Sequence, residues 1–85
     1  MHKIIIPQLG FTMTSGIIEK WHKKVGDEVK KGEVLFELRS DKVVMEIESF
    51  HSGILRKILR YENEEVPVKE VVAYIGDKDE IIPEN

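Results

Sequence analysis

The sequence of 85 residues predicts an all-β fold, a flattened barrel or sandwich of two four-stranded antiparallel sheets related by a pseudo-two-fold internal repeat. Three observations support this prediction. Short β-branched and aliphatic runs are separated by turn residues, a central segment has the pattern of a hairpin, and the two halves of the chain resemble each other. Helix is poorly supported, because Gly26 interrupts the charged stretch 20–31.

The first half of the chain contains four predicted strands. Residues 3–6 include three successive isoleucines, and residues 16–22 carry aliphatic side chains between polar ones. A brief strand is expected at Val29, between two turns, and residues 34–40 show an alternation of apolar and polar side chains that is typical of a half-buried strand.

The second half contains the other four predicted strands. Residues 43–48 read Val-Val-Met-Glu-Ile-Glu, and residues 53–59 begin Gly-Ile-Leu. A brief strand at Val66 precedes the apolar run at residues 71–75. These lengths are typical of strands in small β domains.

The central segment, residues 34–48, is predicted to fold back on itself as a hairpin. Pairing Leu38 with Met45 and Phe36 with Ile47 places apolar side chains on one face of both strands. A slip of one residue would bury carboxylates, so this register is strongly favoured.

The opposite face of the hairpin is expected to be mostly polar. The same register places Glu37 opposite Glu46 and Leu35 opposite Glu48. Glutamates along this face are most simply solvated side chains, although they could also form an acidic patch for a basic partner.

The register leaves Ser40-Asp41-Lys42-Val43 as a tight turn. Serine is favoured at the first position of a type I turn, and Lys42 would occupy a central position. The amine of Lys42 should therefore point into solvent. If only the turn is considered, such a lysine is more often a solvated surface charge than a functional residue.

A shift of 37 residues aligns the two halves without a gap, with Ser15-Gly16-Ile17 on Ser52-Gly53-Ile54. Gly26 then corresponds to Asn63, and Asn tolerates positive φ, so one turn is expected in both halves. Gly32 corresponds to Lys69, which makes the second turn a weaker correspondence.

Composition excludes several classes of function. The chain has no cysteine and a net charge of -3, and its lysines are scattered, so nucleic acid is not an expected partner. Its longest aliphatic run is too short to cross a bilayer, and no basic-then-apolar leader precedes it, so we expect no membrane association. No metal site is expected, because His2, His22 and His51 lack zinc-ligand spacing.

An enzyme active site is not expected either, because no catalytic triad order or glycine-rich phosphate loop is present. Trp21 is expected to pack at the edge of the core. Phe11 could either cap that core or belong to a surface loop.

Together, these segments resemble the lipoyl domain of the dihydrolipoamide acyltransferase component of 2-oxo acid or acetoin dehydrogenase complexes, a member of the biotinyl/lipoyl attachment family. The resemblance covers residues 3–76, which is nearly the whole chain. The matching segments are Pro7-Gln8-Leu9-Gly10 with Thr12-Met13, Gly16-Ile17-Ile18 with Trp21, Val25-Gly26-Asp27-Glu28-Val29, Ser40-Asp41-Lys42-Val43, Met45-Glu46-Ile47-Glu48-Ser49, Gly53-Ile54-Leu55 and Val66-Pro67-Val68.

The resemblance implies a barrel-sandwich hybrid over residues 1–76, followed at residues 77–85 by the start of an interdomain linker or a C-terminal tail. It implies that lipoate is joined to Lys42 as an amide by a lipoate ligase or lipoyl transferase. The domain would then be a non-catalytic carrier, serving a thiamine-diphosphate-dependent decarboxylase, an acyltransferase core and a dihydrolipoamide dehydrogenase. The location would be the bacterial cytoplasm, or the mitochondrial matrix for a processed eukaryotic fragment.

The resemblance also suggests which residues partners recognise. Asp41 and Val43 flank the lysine, and Arg39 stands where the family commonly has a glutamate that helps some ligases. Gly10 and Phe11 fall in a loop that influences which decarboxylase is accepted. The remaining candidate is Glu46, on the polar face of the hairpin.

Two alternatives remain open. An unmodified structural or adaptor β-domain would have the same fold without a cofactor. A biotin carrier domain would also share the fold, but that family flanks its lysine with methionines, whereas here the neighbours are Asp41 and Val43. Pyruvate, 2-oxoglutarate, branched-chain and acetoin systems use similar lipoyl domains, and the resemblance does not choose among them.

Overall fold

The computed structural model describes residues 1–82 and contains eight strands in that part of the chain. The all-β prediction is confirmed, and every predicted strand is present within about two residues of its expected bounds, a normal uncertainty for strand ends. The strands are β1 His2–Ile5, β2 Ser15–Trp21, β3 Glu28–Val29, β4 Val34–Ser40, β5 Val43–Glu48, β6 Gly53–Ile58, β7 Glu65–Pro67 and β8 Val71–Gly76.

The strands form two antiparallel four-stranded sheets with equivalent topologies. One sheet has the order β1-β8-β6-β3 and the other has the order β5-β4-β2-β7. The repeat relates β2 to β6, β3 to β7 and β4 to β8, so β1 and β5 take equivalent edge positions. The predicted pseudo-two-fold repeat is therefore present in the sheet order.

Backbone hydrogen bonds between the halves follow the same symmetry. The N–H of Gly26 donates to the carbonyl of Leu55 at 2.8 Å, and the N–H of Asn63 donates to the carbonyl of Ile18 at 2.8 Å. The turn of the first half is thus bonded to β6 of the second half, and the turn of the second half is bonded to β2 of the first half. Such bonds satisfy backbone groups that would otherwise be buried without partners.

The turns of the two halves also share their backbone conformation. Gly26 and Asn63 have φ values of 98° and 70°, as the sequence predicts. Gly32 and Lys69 have φ values of 94° and 72°, so the second correspondence is as well preserved as the first, despite the lysine. The N–H of Lys69 donates to the carbonyl of Ile6 at 2.8 Å, which helps to hold this strained conformation.

The core lies between the two sheets and is built almost entirely from aliphatic side chains. Phe36 is its largest fully buried member, and Ser49 is the buried polar residue in the described part of the chain. The apolar cluster consists of Ile4, Ile6, Ile18, Val29, Leu35, Phe36, Leu38, Leu55, Ile58, Val66, Val72, Ala73 and Ile75.

Trp21 packs at the edge of this core, as predicted. Its ring lies 4.8 Å from that of Phe36, and its indole Nε1–H donates to the carbonyl of Arg60 at 2.8 Å. Its backbone N–H donates to a carboxylate oxygen of Glu62 at 2.9 Å. These two hydrogen bonds connect the end of β2 to the segment between β6 and β7.

The positive φ of Lys69 gives a first prediction. Lys69→Gly should raise the free energy of unfolding by about 0.5–1 kcal/mol, because glycine relieves left-handed strain but has more entropy when unfolded. Chemical denaturation of both proteins measures the difference. Asn63→Gly is the matched control and should gain less, since Asn tolerates positive φ. A destabilised Lys69→Gly variant would contradict the prediction.

The dependence of stability on pH gives a second prediction. The hydrogen bond from the backbone of Trp21 lowers the pKa of Glu62 below its ordinary value of 4.5. The hydrogen bond from the side chain of Lys23 likewise lowers the pKa of Glu33. Because these pKa values are depressed on folding, the stabilisation is present above about pH 4.5 and is lost as pH falls through the folded-state values.

We therefore expect the midpoint of thermal unfolding to fall as the solution is acidified below about pH 4.5, and to fall less steeply in Glu62→Gln. Circular dichroism melts across this range measure the slope of the unfolding midpoint against pH in each protein. Glu46→Gln is the matched control for the removal of one exposed carboxylate. Equal slopes in Glu62→Gln and the native protein would refute this assignment.

Candidate functional site

The hairpin formed by β4 and β5 has the predicted register around its turn. Leu38 pairs with Met45 and Phe36 with Ile47, so their side chains share the inner face of the sheet. The last pair is Ser40 with Val43, which leaves two residues in the loop. The sequence pattern is therefore sufficient to predict the strand register in this part of the hairpin.

The predicted pairing of Leu35 with Glu48 is wrong. Val34 is the residue opposite Glu48, because an irregularity between Val34 and Phe36 shifts the register at the base of the hairpin. Leu35 and Phe36 are both fully buried as a result. A β-bulge explains this, since an extra residue breaks the alternation and lets two successive side chains face the core.

The turn itself also differs from the expected type I geometry. Asp41 has a φ of 56°, whereas a type I turn has negative φ at both central positions, so type I is excluded. Primed turns match the right-handed twist of two-residue hairpins, and Asp is one of the few side chains that tolerates positive φ. The hairpin geometry thus outweighs the preference of Ser40 for a type I turn.

Lys42 lies at the apex of the hairpin, and its side chain is exposed. No carboxylate within residues 1–82 forms an ion pair with it, whereas Lys23 is bound to Glu33. The Lys42 amine is therefore accessible to a macromolecule that approaches this end of the domain.

The hairpin and the end of the last strand lie at opposite ends of the sandwich. Strand β5 leads away from the turn for its 6 residues, about 20 Å at the usual rise per residue. The chain then reaches Gly53, whose neighbour Ile54 pairs with Gly76 at the end of β8. The same end holds the ion pair between the Met1 amine and Glu80, at 2.8 Å.

Charges on the outer face of the hairpin are partly paired. The guanidinium of Arg39 forms an ion pair with Glu19, and His22 Nε2 lies 2.6 Å from a carboxylate oxygen of Glu37. Glu46 has no such partner among the described residues. The outer face therefore presents a mixture of paired and free charges rather than a uniform acidic patch.

Phe11 does not cap the core, because the residue is fully exposed to solvent. Met13 takes that role and packs against the apolar cluster. The N–H of Met13 donates to the carbonyl of Gly10 at 3.2 Å, which closes a turn and leaves Phe11 at its tip. Of the two roles considered for Phe11, the structure favours the surface one.

Three of the six candidate recognition residues lie together. Gly10, Asp41 and Val43 line one groove of about 400 Å³ between the hairpin and the loop that follows β1. Arg39 and Glu46 lie instead on the outer face of the sheet. Glu46 pairs there with Glu37 of the neighbouring strand.

Sequence reasoning missed two features. Met13 and Met45 lie in the wall of this groove, although nothing in the strand pattern distinguishes them from core residues. His2 and His51 stack with their ring centroids 3.6 Å apart. In residues 1–82, no three metal-binding side chains converge, and no helix is long and apolar enough to cross a bilayer.

Comparison with known families gives a clear result. The family model of biotin and lipoyl attachment domains, described as "Biotin-requiring enzyme", matches residues 2–75. The chain belongs to this biotin/lipoyl attachment family. The sequence prediction of this family is confirmed.

Within the family, curated proteins that are similar to this chain include dihydrolipoyllysine acyltransferase components. The acetyltransferase component of the acetoin cleaving system of Bacillus subtilis is 44% identical over 96% of this chain. The acetyltransferase component of the pyruvate dehydrogenase complex of Rickettsia conorii is 43% identical over 92%. The chain spans only 21% and 19% of these two relatives, or about a fifth of each.

A solved structure agrees with the fold and with this branch of the family. The lipoyl domain of the 2-oxoglutarate dehydrogenase complex from Azotobacter vinelandii matches with a TM-score of 0.75 and 29% identity. The match covers 89% of this chain and 96% of that one. The present chain thus has the lipoyl-domain fold over nearly all of its length.

The exposure of Lys42 gives a third prediction. Lys42→Ala should change the free energy of unfolding by less than about 0.5 kcal/mol, because the side chain has no described partner and packs against nothing in the core. Leu38→Ala is the contrasting control and should lose about 2–5 kcal/mol, since Leu38 is fully buried. Urea denaturation measures both, and a large loss in Lys42→Ala would show a structural role for the lysine.

Proposed function

We propose that this chain is a lipoyl carrier domain and that Lys42 is its point of attachment. The observation that carries the proposal is the position of one primary amine, unpaired within residues 1–82, at the apex of a hairpin with a two-residue loop. The similar acyltransferase components support it, because their names specify a dihydrolipoyllysine residue.

The exposed side chain of Lys42 fits this cofactor. An amide bond from its Nζ to the carboxyl carbon of lipoate needs an amine that a lipoate ligase or lipoyl transferase can reach, with no internal ion pair to break. When bound, the lipoyl group supplies a dithiolane that accepts an acyl group together with two electrons and is later reoxidised. The hairpin residues hold the attachment point away from the body of the domain.

The domain itself acts as a carrier and not as a catalyst. It presents its arm to a thiamine-diphosphate-dependent decarboxylase, to an acyltransferase core and to a dihydrolipoamide dehydrogenase, and the parent chain is an acyltransferase component of such a complex. A tether confines the arm near each active site, at an effective concentration on the order of millimolar for short flexible linkers. Bacterial relatives support a cytoplasmic location.

The ends of the domain suit this role. The apex lysine and the end of β8 lie at opposite ends of the sandwich, so a linker that follows residue 76 would leave the hairpin unobstructed. We keep residues 1–76 as the carrier domain and residues 77–85 as the start of a linker or tail. Residues 83–85 lie outside the described part of the chain.

Intact mass spectrometry gives the fourth prediction. Incubation with lipoate, ATP and a lipoate ligase should add a single lipoyl group to the native domain, since Lys42 is the one lysine within residues 1–82 that occupies a hairpin apex. Lys42→Ala and Lys42→Arg should gain none. Lys42→Ala keeps the fold if the preceding prediction holds, and Lys42→Arg retains a charged side chain at an exposed position, so loss of labelling would reflect the missing acceptor.

Two results would refute the assignment. One is a native domain that gains no lipoyl group under conditions in which the ligase modifies a known lipoyl domain. The other is a Lys42→Arg variant that is labelled as efficiently as the native protein, since the acceptor would then be one of the other exposed lysines.

A further inference from the structure

The groove beside the apex has features of a small ligand site. It runs between the loop that follows β1 and the inner side of the β4–β5 turn. Its volume of about 400 Å³ falls within the range of small-molecule sites, roughly 300–1,000 Å³. The side chains that form its apolar surface are those of Leu9, Met13, Val43 and Met45.

Local hydrogen bonds hold the loop side of this groove in place. The N–H of Leu9 donates to the Sδ of Met13 at 3.4 Å, and the side-chain amide of Gln8 donates to the carbonyl of Met13 at 3.2 Å. The N–H of Met13 also bonds to Gly10, as described above. The groove is therefore largely preformed in the unmodified domain, so an occupant would not have to order the loop.

The apolar part of the groove is partly open to solvent. Leu9 is 46% exposed and Val43 is 54% exposed, and Met13 and Met45 are half-buried. Covering such surface with an apolar group is favourable, and thioethers form adaptable contacts with groups of irregular shape. An unmodified lysine cannot use this site well, because its ammonium is strongly hydrated.

Lys42 is positioned at the rim of the groove. The residues on either side of it, Asp41 and Val43, both line the groove. A long apolar group attached to Nζ would begin at this rim, and an amide at Nζ would remove the charge that keeps the free lysine in water. The groove is thus the apolar surface adjacent to the attachment point.

We propose that this groove is a docking site for the arm carried by Lys42, with Leu9, Met13, Val43 and Met45 as its contact residues. The inference rests on the proposed function, because it takes a lipoyl-type arm as the occupant. The docked arm exchanges with a free one, and the docked state shields the dithiolane from solvent between visits to partner active sites.

Methionine methyl NMR gives the fifth prediction and tests this docking directly. The chain has three methionines, and two of them line the groove, whereas Met1 lies near Gly76 at the opposite end. In the lipoylated domain, the methyl groups of Met13 and Met45 should shift and show nuclear Overhauser contacts to arm protons. The methyl group of Met1 should do neither.

A route that needs no ligase keeps this test separate from the proposed function. Since the chain has no cysteine, Lys42→Cys provides a unique thiol that N-octyl iodoacetamide alkylates, with formation of a thioether and loss of iodide. Iodoacetamide itself provides the short-arm control. The octyl arm should shift the two groove methyl signals, and the short arm should not.

Two matched variants locate the site. Leu9→Asp places a charge in the groove wall, whereas Phe11→Asp places the same charge in the same loop but outside this groove. Contacts between the arm and the methionines should be lost in Leu9→Asp and retained in Phe11→Asp. Both residues are exposed, so neither variant should prevent folding.

Three results would overturn the proposal: no arm contacts at Met13 or Met45 in either modified protein, equal shifts with the octyl and short arms, or equal loss of contacts in both aspartate variants. Docking of the octyl arm without any ligase labelling of the native domain would instead refute the lipoylation at Lys42 and leave the groove intact. The two proposals can therefore fail independently.

Discussion

The register of β4 against β5 is the constraint on which the site depends. Apolar side chains occupy the inner face of both strands only when Leu38 lies opposite Met45, and any slip of one residue would exchange them for carboxylates. Once this register is set, two residues remain to close the turn, and Lys42 is one of them. The core therefore determines the position of a lysine that does not itself belong to the core.

The internal repeat explains the rigidity of the support beneath this turn. Each half donates equivalent backbone hydrogen bonds to the other, and both sheets have the same strand order. The symmetry does not extend to the two ends of the sandwich. The counterpart of the hairpin turn is the place where β8 ends and β1 begins, and there Arg56 binds the carbonyl of Glu80 at 2.9 Å. Among the described residues, only the hairpin end joins two paired strands through a two-residue loop that contains a lysine.

Much of this arrangement could be predicted from the sequence, because periodicity, turn residues and the repeat are local signals. The pairing of Phe36 with Ile47 and the turn at Asn63 are examples. The bulge at Leu35 could not be predicted in this way, since it results from packing two adjacent side chains into one core. The positive φ of Lys69 was equally hidden, because lysine has no preference for that conformation and a contact with Ile6 holds it there.

The candidate site shows the same division between local and tertiary information. The apex position of Lys42 follows from strand pairing alone. The groove beside it depends on a loop that is about thirty residues away in the chain, and no periodic pattern shows that Met13 and Met45 lie on the same surface. The ion pair of Arg39 with Glu19 also joins two strands through a side-chain geometry that the sequence does not specify.

Transfer of the lysine by one position tests the central claim most directly. The double variant Lys42→Val with Val43→Lys keeps the same side chains and, since Val43 is 54% exposed, keeps the amine in solvent while moving it from the apex to the first position of β5. Peptide mapping after treatment with lipoate ligase measures the modification. The account predicts that the transferred lysine gains no lipoyl group, because the position set by the hairpin register defines the acceptor. Labelling at the native level would contradict it and would show that exposure alone is sufficient.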